Sequence, residues 1–389
     1  MTKSRGSSAS SGTRRATRPR RAVPAAIVDV CRNTTPDLPA HDATRRLFVE
    51  TARHHRVSPL AHVLLREAEP ELAAELKPDR DRAMATHLSA SITLDAIDRL
   101  LDGLRWATFK GPILSEHAHP APGLRLYNDI DVLVSPRELR AATTRLAEAG
   151  WTVADYRDML RNAATPGEMH WVSPSGILID LHWSMINMAS TRRQFSVPTD
   201  EILDRRISTD LGLSSTWALN HTDALVHVCL HAALTGAHRM LLILDADQLA
   251  RKTTDWDAVV TRAHDWGAET AVAIVLARAS ALLNTPLPDR LDRELGVSAG
   301  LRVVTNAVDR LAPVPALRSS TSVARLMARS ARPGSGGTLS AVGAKGMRGV
   351  AERLGKGQRR TQPAGREPAD DEALEAYLRA VETHAGVSP

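Results

Sequence analysis

No stretch constrains the chain more than Asp129-Ile130-Asp131-Val132-Leu133-Val134. It reads as a β-strand, and residues two apart on a strand share a face. Asp129 and Asp131 therefore point one way, while Ile130, Val132 and Val134 point towards a core. Two carboxylates so close repel unless a cation lies between them. Mg2+ suits the position, because it takes oxygen ligands and commonly uses one or two carboxylates plus substrate phosphates. A third acid, Asp180, lies inside the apolar run Ile177-Leu178-Ile179-Asp180-Leu181, where a charge is rarely placed for packing. If the two strands are neighbours, Asp129, Asp131 and Asp180 converge as catalytic acids and metal ligands. Two divalent ions roughly 3.5–4 Å apart could then activate an acceptor oxygen and stabilise a departing pyrophosphate.

The residues upstream fit a phosphate-bearing substrate. Trp106–Phe109 is a short apolar strand that ends at Lys110-Gly111-Pro112. Gly111 allows backbone N–H groups to approach phosphate oxygens, and a helical turn after it adds a positive dipole end. Lys110 can reach the phosphates as a point charge, and so can Arg125 from the Pro/Gly-rich loop before the acids. His182 shares a strand face with Asp180. It either orients the acceptor and relays a proton or bonds a neighbouring strand, and the sequence does not choose. His227 and His231 have a metal-compatible helical spacing, but no Glu follows His227, so a structural role is the better reading. Asp245 and Asp247 repeat the Asp-x-Asp pattern in a helical region with no glycine turn before them. They read as structural, an N-cap or a charged face.

Hydrophobic periodicity divides the chain. Residues 1–22 form a disordered basic tail, and 23–104 a helical segment in which Leu88, Ile92, Ala96, Ile97, Leu100 and Leu101 recur at spacings of three and four and Pro59, Pro70 and Pro78 separate the helices. Residues 105–198 hold strands at 106–109, 130–134 and 151–156, a helix at 136–149 and a hairpin about Pro174-Ser175-Gly176. Residues 199–317 are read as helical, 318–368 as a flexible basic linker and 369–389 as a short C-terminal helix.

The net charge of +6 is unevenly spread. Residues 1–21 carry seven Lys/Arg and no acid, and 318–366 carry eleven against Glu352, which leaves about −11 for the remainder. The body is acidic, so a polyanionic acceptor is disfavoured; nucleic acid could be reached only through the basic stretches, which lack interleaved aromatics for stacking. Two cysteines give neither a disulfide framework nor zinc spacing. The basic N-terminus has no apolar core of a signal peptide, and no window is apolar enough to span a membrane. A cytoplasmic protein is expected.

Phe109-Lys110-Gly111, Gly123-Leu124-Arg125, the Asp129–Val134 run, Ile179-Asp180-Leu181-His182-Trp183 and Asp223–Ala233 together resemble the bacterial nucleotidyltransferase family proteins of the DNA polymerase beta-like nucleotidyltransferase superfamily. The resemblance spans roughly residues 55–290. It implies an α+β fold, with a mixed sheet flanked by helices and helical N- and C-terminal segments. It also implies transfer of an NMP from an NTP such as ATP, with Mg2+ (two ions; Mn2+ as a substitute) and release of pyrophosphate. One departure stands out: the superfamily's usual Gly-Ser is Gly111-Pro112 here, which removes a phosphate-binding hydroxyl. The acceptor, whether a small molecule, a sugar, or a peptide or protein, is not named by these motifs. A catalytically silent nucleotide-binding scaffold and a nucleotidylating toxin are the alternatives.

Overall fold

The structure, a computed structural model, describes residues 19–156, 159–318, 322–354, 366–368 and 371–387. Among them eight strands form one mixed sheet: β1 Trp106–Phe109, β2 Ile130–Val134, β3 Thr152–Tyr156, β4 Glu168–Val172, β5 Leu178–His182, β6 Ile207–Asp210, β7 Ser215–Ala218 and β8 Arg366–Pro368. Their spatial order is β6-β7-β1-β2-β5-β4-β3-β8. β2 is antiparallel to β1 and parallel to β5, and β5 is antiparallel to β4. Helices precede, flank and follow the sheet, as expected for the fold class.

Alternation along the strands gives the sheet two apolar clusters. Trp106, Ile130, Val132, Val134, Met169, Trp171, Ile179 and Leu181 join Leu94 and Ile97 of helix Pro70–Leu100, Leu139 and Leu146 of helix Leu139–Glu148, and Tyr377 and Val381 of helix Asp371–His384. Ala107, Phe109 and Leu133, of opposite parity, join the helical body that includes Leu225, Cys229 and Val272. Cys31 and Cys229 are both buried free thiols. No helix among the described residues is long and apolar enough to cross a membrane.

Several expectations are corrected. Residues 1–18 lie outside the described residues, but 19–22 open helix Pro19–Cys31, because Val23, Ala26, Ile27 and Val30 form a buried stripe that draws the helix into the core. Pro78 does not divide two helices; it lies within the 31-residue helix Pro70–Leu100. Arg53 braces that stretch, donating through Nη2 to the Glu75 carbonyl at 2.7 Å and pairing through Nε with Asp79 at 2.7 Å. Leu88 and Ile92, read as inward, are exposed, while Ile97 is buried as read, together with Ala90 and Leu94. The region after 199 is not wholly helical, since β6 and β7 form an antiparallel hairpin and β7 pairs in parallel with β1.

The 318–368 stretch is not simply a linker. It holds helices Val323–Ala328 and Ser335–Leu354 as well as β8. Met327, Ala328 and Ala331 are buried in the helical body, and Ser322 caps Arg325 N. Helix Asp371–His384 is not an isolated appendage either. Tyr377 Oη lies 2.9 Å from the Trp183 indole nitrogen, which donates to it, and itself donates to the Pro166 carbonyl at 2.6 Å.

Candidate active site

Strand register assembles the site. Asp131 of β2 pairs with Asp180 of β5, and Asp180 pairs in turn with His170 of β4. One step along, Leu133 pairs with His182, and His182 with Glu168. Paired residues on adjacent strands project to the same side. Asp131, Asp180, His170, His182 and Glu168 therefore form a polar patch on the sheet face opposite Ile130, Val132, Ile179 and Leu181. Helix His221–Thr235 covers this patch, and the His227 ring meets Phe109 edge-on at 5.1 Å.

Asp131 is almost fully buried and is the electrostatic centre. Its Oδ1 receives the Lys110 ammonium at 2.7 Å and His182 Nε2 at 3.1 Å. Burial opposes its ionisation, but Lys110 and His182 outweigh it and hold the carboxyl well below the usual range. Burial likewise opposes charge on His182, yet the bond to Asp131 and the nearby Glu168 carboxylate raise its pKa above the ordinary histidine value. His182 Nδ1 lies 3.3 Å from Glu168 Oε2. Asp180 Oδ1 is 2.6 Å from His170 Nδ1.

Asp129 sits at the bend before β2. It has no hydrogen bond or ion pair among the described residues, and burial together with the Asp131 and Asp180 charges pushes its carboxyl up to about 6, against a weaker pull from Lys110 and Arg56. Such crowding of acids is relieved by a cation. Atoms of Asp131, Asp180 and His182 lie within 4.8 Å of one another and could hold an ion. That set contains His182, whereas the sequence expectation was Asp129, Asp131 and Asp180. Asp129 borders the same cavity of about 300 Å³, which Asp131 and Asp180 also line. The oxygen-rich donors suit Mg2+ or Mn2+.

Lys110 and Gly111 turn the chain from β1 into helix Gly111–His117. Lys110 carries a positive φ of 57°, a conformation uncommon for a residue with a side chain. A Cβ at Gly111 would stand 3.2 Å from the Tyr127 ring and 3.3 Å from the Asp129 carbonyl. The protein's own loop therefore uses the space that the missing side chain leaves. Gly111 still borders the cavity.

Arg125 also lines the cavity, but its Nε and Nη2 are held by Asp245 at 2.9 and 2.8 Å. His119 Nε2 completes that cluster at 2.9 Å. Asp245 and Asp247 are structural, as read from the sequence, though neither is an N-cap nor on a charged face: both are buried within helix Met240–Arg251. Asp247 accepts from Thr285 Oγ1 at 2.6 Å and pairs with Arg251 at 2.9 Å.

His170, Glu168, Arg56 and Arg239 escaped the sequence reading. The first two were legible in principle. In a hairpin centred on Ser175, counting outwards places His170 opposite Asp180 and Glu168 opposite His182. Arg56 and Arg239 line the acid cavity from turns between helices far from it in sequence, and no local pattern marks them.

No curated protein matches the chain. Residues 41–284, more than half of it, match the model of a family described as an uncharacterised nucleotidyltransferase, and the matched stretch contains every residue of the site above. The chain belongs to that nucleotidyltransferase family.

Proposed function

We propose that the protein is a metal-dependent enzyme that moves an NMP from an NTP to an acceptor hydroxyl or phosphate and releases pyrophosphate. The observation that carries this reading is the register pairing of Asp131 with Asp180 on one sheet face, with Asp129 beside them. Its resemblance to the DNA polymerase beta-like superfamily supports the same chemistry. Asp129, Asp131 and Asp180 would hold divalent ions, with His182 adjoining them. Bound Mg2+ or Mn2+ would supply Lewis-acid charge at the transferring phosphoryl group and at the leaving oxygen.

The chain's own groups do the rest. Lys110, Arg56 and Arg239 border the acid cavity and offer cationic partners to a triphosphate, with Gly111 at its edge. Arg125, its charge met by Asp245, forms part of the wall. An acceptor oxygen bonds to the α-phosphorus as the bond to the β-phosphate bridge breaks and pyrophosphate departs. When the acceptor is a hydroxyl, its proton passes to Asp180, whose neighbour His170 can share it. His182, tied to Asp131 and Glu168, fixes Asp131's orientation.

The test is incubation of the full-length protein with each of the four NTPs, Mg2+ and cell extract, read by pyrophosphate release and by mass spectrometry. A nucleotide-sized mass shift with wild type and none with Asp131→Asn is expected. Equal turnover by Asp131→Asn would remove the assignment.

A further inference from the structure

Beside the acid cavity lies a second one of about 360 Å³, and the two share Lys110, Glu168, His231 and Thr235. They differ in character. The acid cavity is walled by carboxylates and arginines. The second has an apolar side made by Met185, Ile186, Leu230 and Leu234, and Arg329 and Arg332 at its border. Glu168, on the shared floor, is its one acidic lining residue among those described. Arg332 is held by its Nη1, which donates to the Ala331 carbonyl at 2.6 Å.

An independent observation points to a ligand here. His227 lines this cavity and is 3% exposed, yet neither ring nitrogen has a hydrogen-bond partner among the described residues. Buried polar atoms are seldom left without partners, because desolvation without a compensating bond is costly. A bound molecule carrying a hydroxyl, or another polar group, would complete it. The cavity volume matches sites for small molecules and is too small for a folded macromolecule.

We propose that this second cavity is the acceptor subsite, and that it takes a small anionic molecule with an apolar body. The anionic group lies at Arg329 and Arg332, the body lies along Met185, Ile186, Leu230 and Leu234, and the nucleophilic oxygen reaches the floor between His227 and Lys110. That placement sets the oxygen at the junction with the nucleotide cavity. Its bond to the α-phosphorus forms as pyrophosphate leaves with the electron pair of the broken bond, and the acceptor proton goes to Asp180. This inference rests on the nucleotidyl-transfer reading. It also gives the basic stretch after residue 318 a task, since that stretch delivers both arginines to an otherwise acidic body.

The experiment is isothermal titration calorimetry of the full-length protein with three probes: ω-hydroxyoctanoate, ω-hydroxyoctyl phosphate and neutral octanediol. At least one anion should bind about ten-fold or more tightly than the diol, and the tighter anion identifies the head group. Arg332→Ala should weaken the anion about ten-fold without changing the diol, Arg332→Lys should restore part of the loss, and Leu234→Trp should exclude all three. Equal binding of diol and anions, an anion affinity unmoved by Arg332→Ala, or no binding of either anion at millimolar concentration overturns the proposal. A separate titration with Mg2+ and a non-hydrolysable ATP analogue checks the folding of each variant and isolates the parent reading. Nucleotide binding without anion binding sinks the acceptor subsite alone. Anion binding without nucleotide binding sinks the transfer reading and leaves a ligand site.

Discussion

Two of the chain's Asp-x-Asp pairs, Asp129/Asp131 and Asp245/Asp247, lie within apolar runs, and the structure treats them in opposite ways. Asp129 and Asp131 lie at the start of a strand and border one cavity. Asp245 and Asp247 lie on a helix, where residues two apart diverge by roughly 200°, and each is neutralised separately. Arg125 and His119 hold Asp245, lowering its carboxyl to about 2 despite burial. Asp129 is pushed up to about 6 by burial and by its acidic neighbours. One pair is compensated within the fold; of the other, Asp131 is met by Lys110 and His182, and Asp129 is left to be compensated by what binds. Backbone period, more than spacing in the sequence, decides whether two acids make a site.

Substitutions can break or sharpen this contrast. The largest effect is expected for Asp131→Asn, which should cut the rate of pyrophosphate release by roughly a thousand-fold, about 4 kcal/mol of barrier. Thermal unfolding should stay cooperative; a loss of folded protein instead would make Asp131 a structural acid like Asp245. Asp245→Ala should behave in the converse way. It leaves Arg125 buried without its partner and should cost about 3–5 kcal/mol in chemical denaturation. If stability is retained and only turnover falls, the contrast collapses.

The third substitution reverses the sign. In metal-free protein at pH 8, ionised Asp129 is unfavourable, because a carboxyl whose pKa rises on folding contributes stability below its unfolded value and loses it as pH climbs through about 6. Asp129→Asn should therefore stabilise the metal-free fold at pH 8 by on the order of 2 kcal/mol while abolishing turnover. The gain should fade as pH drops towards 4; a gain independent of pH counts against this account. The smallest effect is expected at Asp257, which pairs with Arg290 on the exposed surface at 2.8 Å. Asp257→Asn should change stability by less than about 1 kcal/mol and leave turnover intact. A larger change would show that exposure is a poor guide to which acids matter here.

What the sequence revealed follows from these physical differences. β1, β2 and the β4–β5 hairpin were legible because their buried faces impose alternation or an apolar run. β6 was not: Ile207, Ser208 and Asp210 are exposed on an edge strand, so no buried face writes a pattern into them. β8 is three residues long and includes Pro368, which marks no strand. In the site, Asp131 and Asp180 stood out as charges within apolar runs. His170 and Glu168 carry no such mark of their own, and strand register sets them against Asp180 and His182. The Arg125–Asp245 pair spans 120 residues and is a product of tertiary packing alone.

The bond between Trp183 and Tyr377 bridges 194 positions of the chain. At elongation rates of about 5–20 residues per second, the ribosome needs roughly 10–40 s to travel that distance. Throughout that interval the sheet surface around Trp171 and Trp183 waits for its lid, wet and adhesive. Chains cut short before residue 371 would hold every acid of the candidate site and still leave that surface uncovered.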